Sequence, residues 1–225
     1  MKQRYLFNDL ICSLSADIRN SHLRLPTFVV ERQPQEIWRH KIFCLLSSQF
    51  NAQRAVNITD RMLREIPFFE MHLPLSKIQD TCFRFLSSPQ IGYRFPKIRA
   101  LQISLCWFPF AQIKDEYHEY VSSFGSEVEA RKHIIELFPG IGLKQASMFL
   151  RNIGAAKRLS VIDVHILYYL KVFHNWNVDH LTSKRYLEAE MLLKQDAERY
   201  NLELNVFDTV VWTAARALKK ASAHV

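Results

Sequence analysis

The sequence predicts an all-α fold, and three observations lead there: glycine is scarce, β-branched runs are short, and apolar residues recur at helical rather than alternating spacing. Only 5 glycines and 8 prolines occur in 225 residues, and the long stretches between them are rich in Leu, Phe, Ile, Arg, Lys and Glu. With 48% hydrophobic and 12% aromatic residues the chain can bury a substantial core, as one domain or as two lobes sharing it, which excludes a disordered chain. Breaks are expected at Pro26, Pro34, Pro67, Pro74, Pro89, Pro96, Pro109 and Pro139, punctuating about eight to ten helices with no internal repeat.

A helix is predicted over 35–50, where Ile37, Trp38, Ile42, Phe43, Leu45 and Leu46 form one apolar stripe ending in Ser47-Ser48-Gln49-Phe50-Asn51. A second helix, with Asn51 or a neighbour as its cap, turns Ala55, Ile58, Met62 and Ile66 inward and Arg54, Arg61 and Arg64 outward. Pro96 suits the first turn of a third, whose apolar side is expected to be Ile98, Leu101 and Leu105. Arg94, Phe95, Lys97 and Arg99 make its start a basic, aromatic-bearing edge, open to phosphate contact or base stacking or simply solvated.

The 30 Lys and Arg outnumber the 22 Asp and Glu for a net charge of +8, which points to an anionic partner: nucleic acid, acidic membrane or acidic protein. No apolar stretch approaches the roughly 18 residues of a membrane span, and no leader-like segment opens the chain, so a soluble, intracellular protein is expected. Cys12, Cys44, Cys82 and Cys106 lie far apart among apolar residues and read as buried thiols. The nine histidines show no metal-binding spacing, and neither a metal nor a cofactor is expected.

Chemistry concentrates in IIELFPGIGLKQASMFLRNIGAAKRLSVIDVHILYYL. Residues 134–138 supply a short helix, Pro139-Gly140-Ile141-Gly142 a tight turn, and 143–153 a second helix with Ala146, Phe149, Leu150 and Ile153 packed: a helix-hairpin-helix over 134–153. Gly140, Ile141 and Gly142 let this turn approach a DNA backbone, and the free N–H groups opening the second helix suit a phosphate oxygen, giving binding without base readout. Lys144 lies about 200° around the helix from Ala146 and points away from the packed side. A helix N-terminus disfavours a cation and desolvation disfavours it further, so both favour the neutral amine a lysine nucleophile needs; on composition alone, a solvated lysine is the alternative. Asp163 stands where a helix N-cap belongs, a role compatible with an ionised, rigidly held carboxylate that stabilises developing positive charge. His165 is expected to pack or to contact phosphate.

These residues resemble the helix-hairpin-helix, Gly/Pro-rich-loop, Asp (HhH-GPD) DNA glycosylase superfamily, and GIGLKQASMFLRNIG is especially similar to the archaeal-type 8-oxoguanine DNA glycosylase/lyase family. Looser similarity runs through IFCLLSSQFNAQRA, GYRFPKIRA and FDTVVW in the expected order. The resemblance implies a two-lobed helical fold, one lobe about 30–157 and the other about 1–29 plus 158–225, with the active site in the interlobe cleft. It assigns Lys144 as nucleophile and Asp163 as catalytic aspartate. Gln49 falls where relatives fill the gap left by a flipped base, and as a polar residue ending a helix it can equally serve as a cap; Asn51 and Arg94 are lesion-side contacts and Phe43, Phe50, Phe95 and Trp212 base-pocket candidates, with Trp107 a further aromatic able to line a pocket. The cysteines that hold an iron–sulfur cluster in some relatives are missing, since no Cys follows Cys106, and no cluster is expected. Where the family closes just after the tryptophan matching Trp212 with residues that help recognise the base, this chain continues TAARALKKASAHV.

The implied function is a bifunctional glycosylase/AP lyase, a monomer acting on double-stranded DNA, not on a membrane, in the cytoplasm and associated with the nucleoid. It would excise 8-oxoguanine through a lysine Schiff base and β-elimination. The alternatives are a glycosylase for another modified base, including one in foreign DNA, and a non-catalytic DNA-binding protein that keeps the hairpin.

Overall fold

In the computed structural model, which describes residues 2–20, 30–70, 73–178 and 180–222, the elements follow one another as helices. They are α1 (Lys2–Arg19), α2 (Pro34–Leu46), α3 (Ala52–Glu65), α4 (Leu75–Ser87), α5 (Pro96–Ile113), α6 (Tyr117–Ser122), α7 (Glu127–Leu137), α8 (Leu143–Asn152), α9 (Val164–His174), α10 (Ser183–Arg199) and α11 (Leu204–Ser222), with 3₁₀ turns at Phe68–Glu70 and Lys114–Glu116. No strand forms among the described residues. The expected break at Pro26 and the last three residues of TAARALKKASAHV lie outside them. The chain divides into two units, Val29–Ala155 and Met1–Phe28 with Ala156–Val225.

In the unit Val29–Ala155, Pro34 and Pro96 open α2 and α5 at positions where a missing N–H costs nothing. The core gathers Trp38, Phe68, Trp107, Phe110, Tyr117, Phe138 and Phe149, with Trp38 stacked on Phe110 at 5.2 Å and edge-on to Trp107 at 5.0 Å. Each such ring contributes about 2–3 kcal/mol by leaving water. Trp107, only 5% exposed, is therefore a core residue and not a pocket wall.

Other expectations change for identifiable reasons. α2 stops at Leu46, not Phe50, because a turn follows in which Gln49 takes a left-handed φ of 56°. Phe43 sits at the edge of the α2 stripe and is only half-buried. α5 is apolar on all sides, so the sequence leaves its buried side ambiguous; Arg99, Ala100, Ile103, Cys106, Trp107 and Phe110 turn inward, whereas Ile98 and Leu105 are 49% and 37% exposed. Arg99 is thus no surface cation, and Pro109 is carried inside the helix rather than ending it. The first hairpin helix starts at Glu127, a full two turns before Ile134, because Ser126 caps it by accepting from the Glu129 N–H at 3.1 Å.

The most unusual core residue is Lys41, fully buried on the apolar side of α2. Its Nζ donates to the Tyr117 hydroxyl at 2.8 Å and lies 3.3 Å from the Phe138 ring centre, with Phe110 and Phe149 around it. Burial among these rings pushes the amine well below the usual lysine range. The lysine lies between the residue that enters the hairpin and the helix that leaves it.

The other unit packs α9 and α10 against α11, and α1 against α11, around Phe7, Ile11, Tyr169, Leu193, Phe207 and Val211. Cys12 is the exception to the buried thiols: α1 buries Phe7, Ile11 and Ser15, and Cys12, one residue around from that stripe, is exposed. Burial raises the other three thiols, Cys82 and Cys106 to about 12. The unfolded chain ionises its thiols near about 8.5, so the stability they contribute is complete below that pH and is lost as pH rises toward the native values. Lys41 opposes the trend but is one group against three. Urea unfolding of the reduced protein should show stability falling by about 3 kcal/mol per pH unit around pH 9.5; a flat alkaline profile would contradict this burial pattern.

Candidate active site

The hairpin is built by geometry that only its sequence permits. α7 ends at Leu137, the Ile141 N–H donates to the Phe138 carbonyl at 3.3 Å, and Gly140 takes a left-handed φ of 87°. Ile141 is 4% exposed, so its side chain anchors the turn and its N–H is engaged; any backbone contact it makes with DNA runs through other atoms of the turn. Gly142 is the N-cap of α8 and offers no side chain, which leaves the first N–H groups of that helix without a side-chain partner. Such a terminus receives an anion readily.

A Cβ on Gly140 would collide with the side-chain amide of Gln102. That amide accepts from Arg99 Nη1 at 2.6 Å, and Arg99 Nη2 donates to the Ser48 carbonyl at 3.4 Å. One chain of contacts therefore joins the hairpin to the turn carrying Gln49. Gly140→Ala should lose about 1–3 kcal/mol of stability from the left-handed φ and the displaced Gln102, and should weaken duplex binding as well. Urea denaturation and fluorescence anisotropy would check it, and a variant matching the wild type in both would contradict the tight-turn reading.

Lys144 is the second residue of α8 and is half-buried, while Ala146, Phe149 and Leu150 pack inward. Among the described residues its Nζ makes no hydrogen bond or ion pair. Its charge is nonetheless felt at Cys44 of α2, where burial pushes the thiol far up and Lys41 and Lys144 pull the other way.

The Gln49 turn is also well defined. Gln49 is exposed at its tip, Tyr93 donates to the Leu46 carbonyl at 2.8 Å, and Phe50 packs on the Tyr93 ring at 4.7 Å. Asn51 caps α3 by accepting from the Arg54 N–H at 2.9 Å, so its side-chain oxygen is already committed. Arg94 lies over the Phe95 ring at 4.9 Å, and Phe95 is 40% exposed. Phe43, Phe50 and Phe95 thus belong to the unit Val29–Ala155, whereas Trp212 belongs to the other.

In that other unit Asp163 is the N-cap of α9. Its Oδ1 accepts from the N–H groups of His165 at 2.8 Å and Ile166 at 3.1 Å, and Oδ2 makes no bond among the described residues. The segment leading to it is held by three side chains to which sequence reasoning assigned no role. Asp208 Oδ2 accepts from the Ser160 hydroxyl at 3.0 Å and the Val161 N–H at 2.7 Å, and Glu190 accepts from the Ser160 N–H at 2.9 Å. The Tyr186 hydroxyl donates to the Ser160 carbonyl at 2.7 Å and accepts from the Ile162 N–H at 3.2 Å. An irregular segment with its backbone groups so fully engaged is rigid, and Asp163 inherits that rigidity. The one available signal was the acid in FDTVVW, a lone carboxylate on an otherwise apolar stretch. His165 packs edge-on against Trp212, with ring centres 5.8 Å apart.

A family model described as 8-oxoguanine DNA glycosylase matches residues 22–202. The chain belongs to the 8-oxoguanine DNA glycosylase family. Within that family, the 8-oxoguanine DNA glycosylase/AP lyase of Methanocaldococcus jannaschii is 32% identical over 182 residues, covering 79% of each chain. The enzyme of the same description from Korarchaeum cryptofilum is 28% identical over 210 residues, covering 92% of this chain and 93% of its own. The crystal structure of the M. jannaschii glycosylase/lyase in complex with a 15mer DNA containing 8-oxoguanine matches at a TM-score of 0.64 and 28% identity, over 81% of each chain. The 8-oxoguanine DNA glycosylase of Thermotoga maritima shares the fold at a TM-score of 0.67 and 23% identity, over 92% of this chain and 95% of that one. No helix among the described residues is long and apolar enough to cross a membrane.

Proposed function

We propose that this chain is a DNA N-glycosylase with AP lyase activity that excises 8-oxoguanine from double-stranded DNA, with Lys144 as nucleophile and Asp163 as its supporting carboxylate. The observation that carries the reading is an uncommitted Lys144 amine in the first turn of α8, immediately after a glycine turn suited to a phosphate backbone. Family membership and the names of the relatives support the substrate.

The duplex is held through its backbone at Gly140 to Gly142 and the α8 N-terminus, and the damaged nucleotide is taken out of the stack. Gln49, exposed at a turn tip, fills the space it leaves, and Arg94 contacts the lesion side. The neutral Lys144 amine attacks C1′ of the sugar. A C1′–Nζ bond forms while the glycosidic bond breaks, and the departing base carries off the bonding pair and collects a proton. Positive charge gathers at the sugar as that bond stretches, and the free Oδ2 of Asp163 is the atom that offsets it. Loss of the amine protons and opening of the sugar ring give a C1′ imine to Lys144. This imine acidifies C2′, so loss of a C2′ proton expels the 3′ phosphate by β-elimination; water then hydrolyses the imine and regenerates the lysine.

Incubation with a panel of duplexes, each carrying one lesion, tests the substrate. Excision of 8-oxoguanine with strand cleavage in the absence of alkali is the expected result. Release of a different modified base with 8-oxoguanine untouched would replace the substrate, and DNA binding with no excision on any duplex would replace the enzyme reading altogether.

A further inference from the structure

The family match ends at residue 202, before α11 begins, and α11 runs unbroken from Leu204 to Ser222. At about 100° per residue, Asp208, Trp212, Arg216, Lys219 and Lys220 fall within roughly one third of the helix circumference. Asp208 is the buried end of that face and holds the segment before Asp163. One turn on, Trp212 is half-buried with His165 at its edge. Arg216, exposed, lays its guanidinium over the Trp212 ring at 4.4 Å, and Lys219, exposed, reaches over Tyr168 of α9 with Nζ 5.8 Å from the ring centre.

The cations therefore track the outer side of α9, starting beside its capped N-terminus. That side carries Val164, 64% exposed, then Tyr168, then the exposed Lys171. Neither helix supplies an acid to neutralise them: α9 has none, and the one acid of α11 is Asp208, whose carboxylate is spent inside. Arg216, Lys219 and Lys220 form no ion pair among the described residues, including with Asp9 and Asp17 of the neighbouring α1. Lysines at a helix end offset the helix dipole, which accounts for Lys219 and Lys220 but not for Arg216, two turns inside. A cation–π contact holds the Arg216 guanidinium over the indole without using its N–H donors, which stay available to a phosphate.

We infer that Arg216, Lys219 and Lys220 of α11 form a second backbone-binding surface, separate from the hairpin, that takes phosphodiester groups of the duplex on the Asp163 side. This rests on the proposed glycosylase reading, which supplies the duplex. The surface reads no bases and adds affinity through counterion release.

The test is binding of a duplex containing a tetrahydrofuran abasic-site analogue across a range of KCl concentrations. Arg216→Gln/Lys219→Gln is compared with the wild type and with Lys184→Gln/Lys194→Gln, which removes the same charge from exposed positions of α10. The α11 variant should reduce the slope of log K against log salt by roughly 2 and weaken binding at low salt about 10-fold or more, while the α10 variant shifts the slope by less than about half a unit. Thermal unfolding of both variants establishes that they are folded. An unchanged slope in the α11 variant, or equal changes in the two variants, overturns the inference. If the wild type neither binds nor excises, the glycosylase reading is what has failed; wild-type excision with an unaltered α11 slope sinks this surface alone.

Discussion

Lys144→Gln should abolish base excision and strand cleavage together, lowering single-turnover excision by at least about 10³-fold, because both steps pass through the same amine. The substitution is mild in every other respect. Glutamine is about as good a helix former as lysine, the site is half-buried, and Nζ has no hydrogen bond or ion pair to lose among the described residues. Stability should therefore stay within about 0.5 kcal/mol of the wild type. Duplex affinity should fall less than about 10-fold, since one cation among several backbone contacts is removed. The comparison separates chemistry from binding: an equally active variant would remove Lys144 from the mechanism, and a variant that merely fails to bind DNA would make it a phosphate contact instead.

Asp163→Asn separates the two jobs of the aspartate. Asparagine caps helices as well as aspartate, so the bonds to the His165 and Ile166 N–H groups survive and stability should change by less than about 0.5 kcal/mol. The negative charge does not survive, and excision under single-turnover conditions should slow by about 10²–10³-fold, the usual effect of removing one group directed at transition-state charge. Asp163→Ala loses the cap too and should cost a further ~1 kcal/mol of stability. If both variants excise at the wild-type rate and only the alanine is destabilised, Asp163 is a helix cap and nothing more.

How far the sequence reached depends on which property was asked of it. Caps and turns were legible because they rest on local chemistry: Asn51, Asp163 and the Pro139 to Gly142 turn fall where short-range rules place them. The α3 and α8 stripes were legible for the same reason, since each helix has one apolar side. α5 was not, because its apolar residues surround it and only the packing of α4 and α2 decides which are buried. For the same reason the sequence does not reveal that Trp107 and Arg99 both turn inward. Lys41 could not be anticipated either. Its cage is assembled from α5, α6, α8 and the residue before the hairpin, four separated places in the chain. The Asp208, Glu190 and Tyr186 clamp has the same long-range origin, with partners 24 to 48 residues away.

The central claim is covalent chemistry at one lysine, and borohydride trapping addresses it directly. The wild-type protein is incubated with an 8-oxoguanine duplex in the presence of sodium borohydride, and the cross-linked peptide is sequenced by mass spectrometry. A stable protein–DNA adduct carried on Lys144 is the predicted result. An adduct on any other residue, or excision of 8-oxoguanine with no adduct at all, would contradict it.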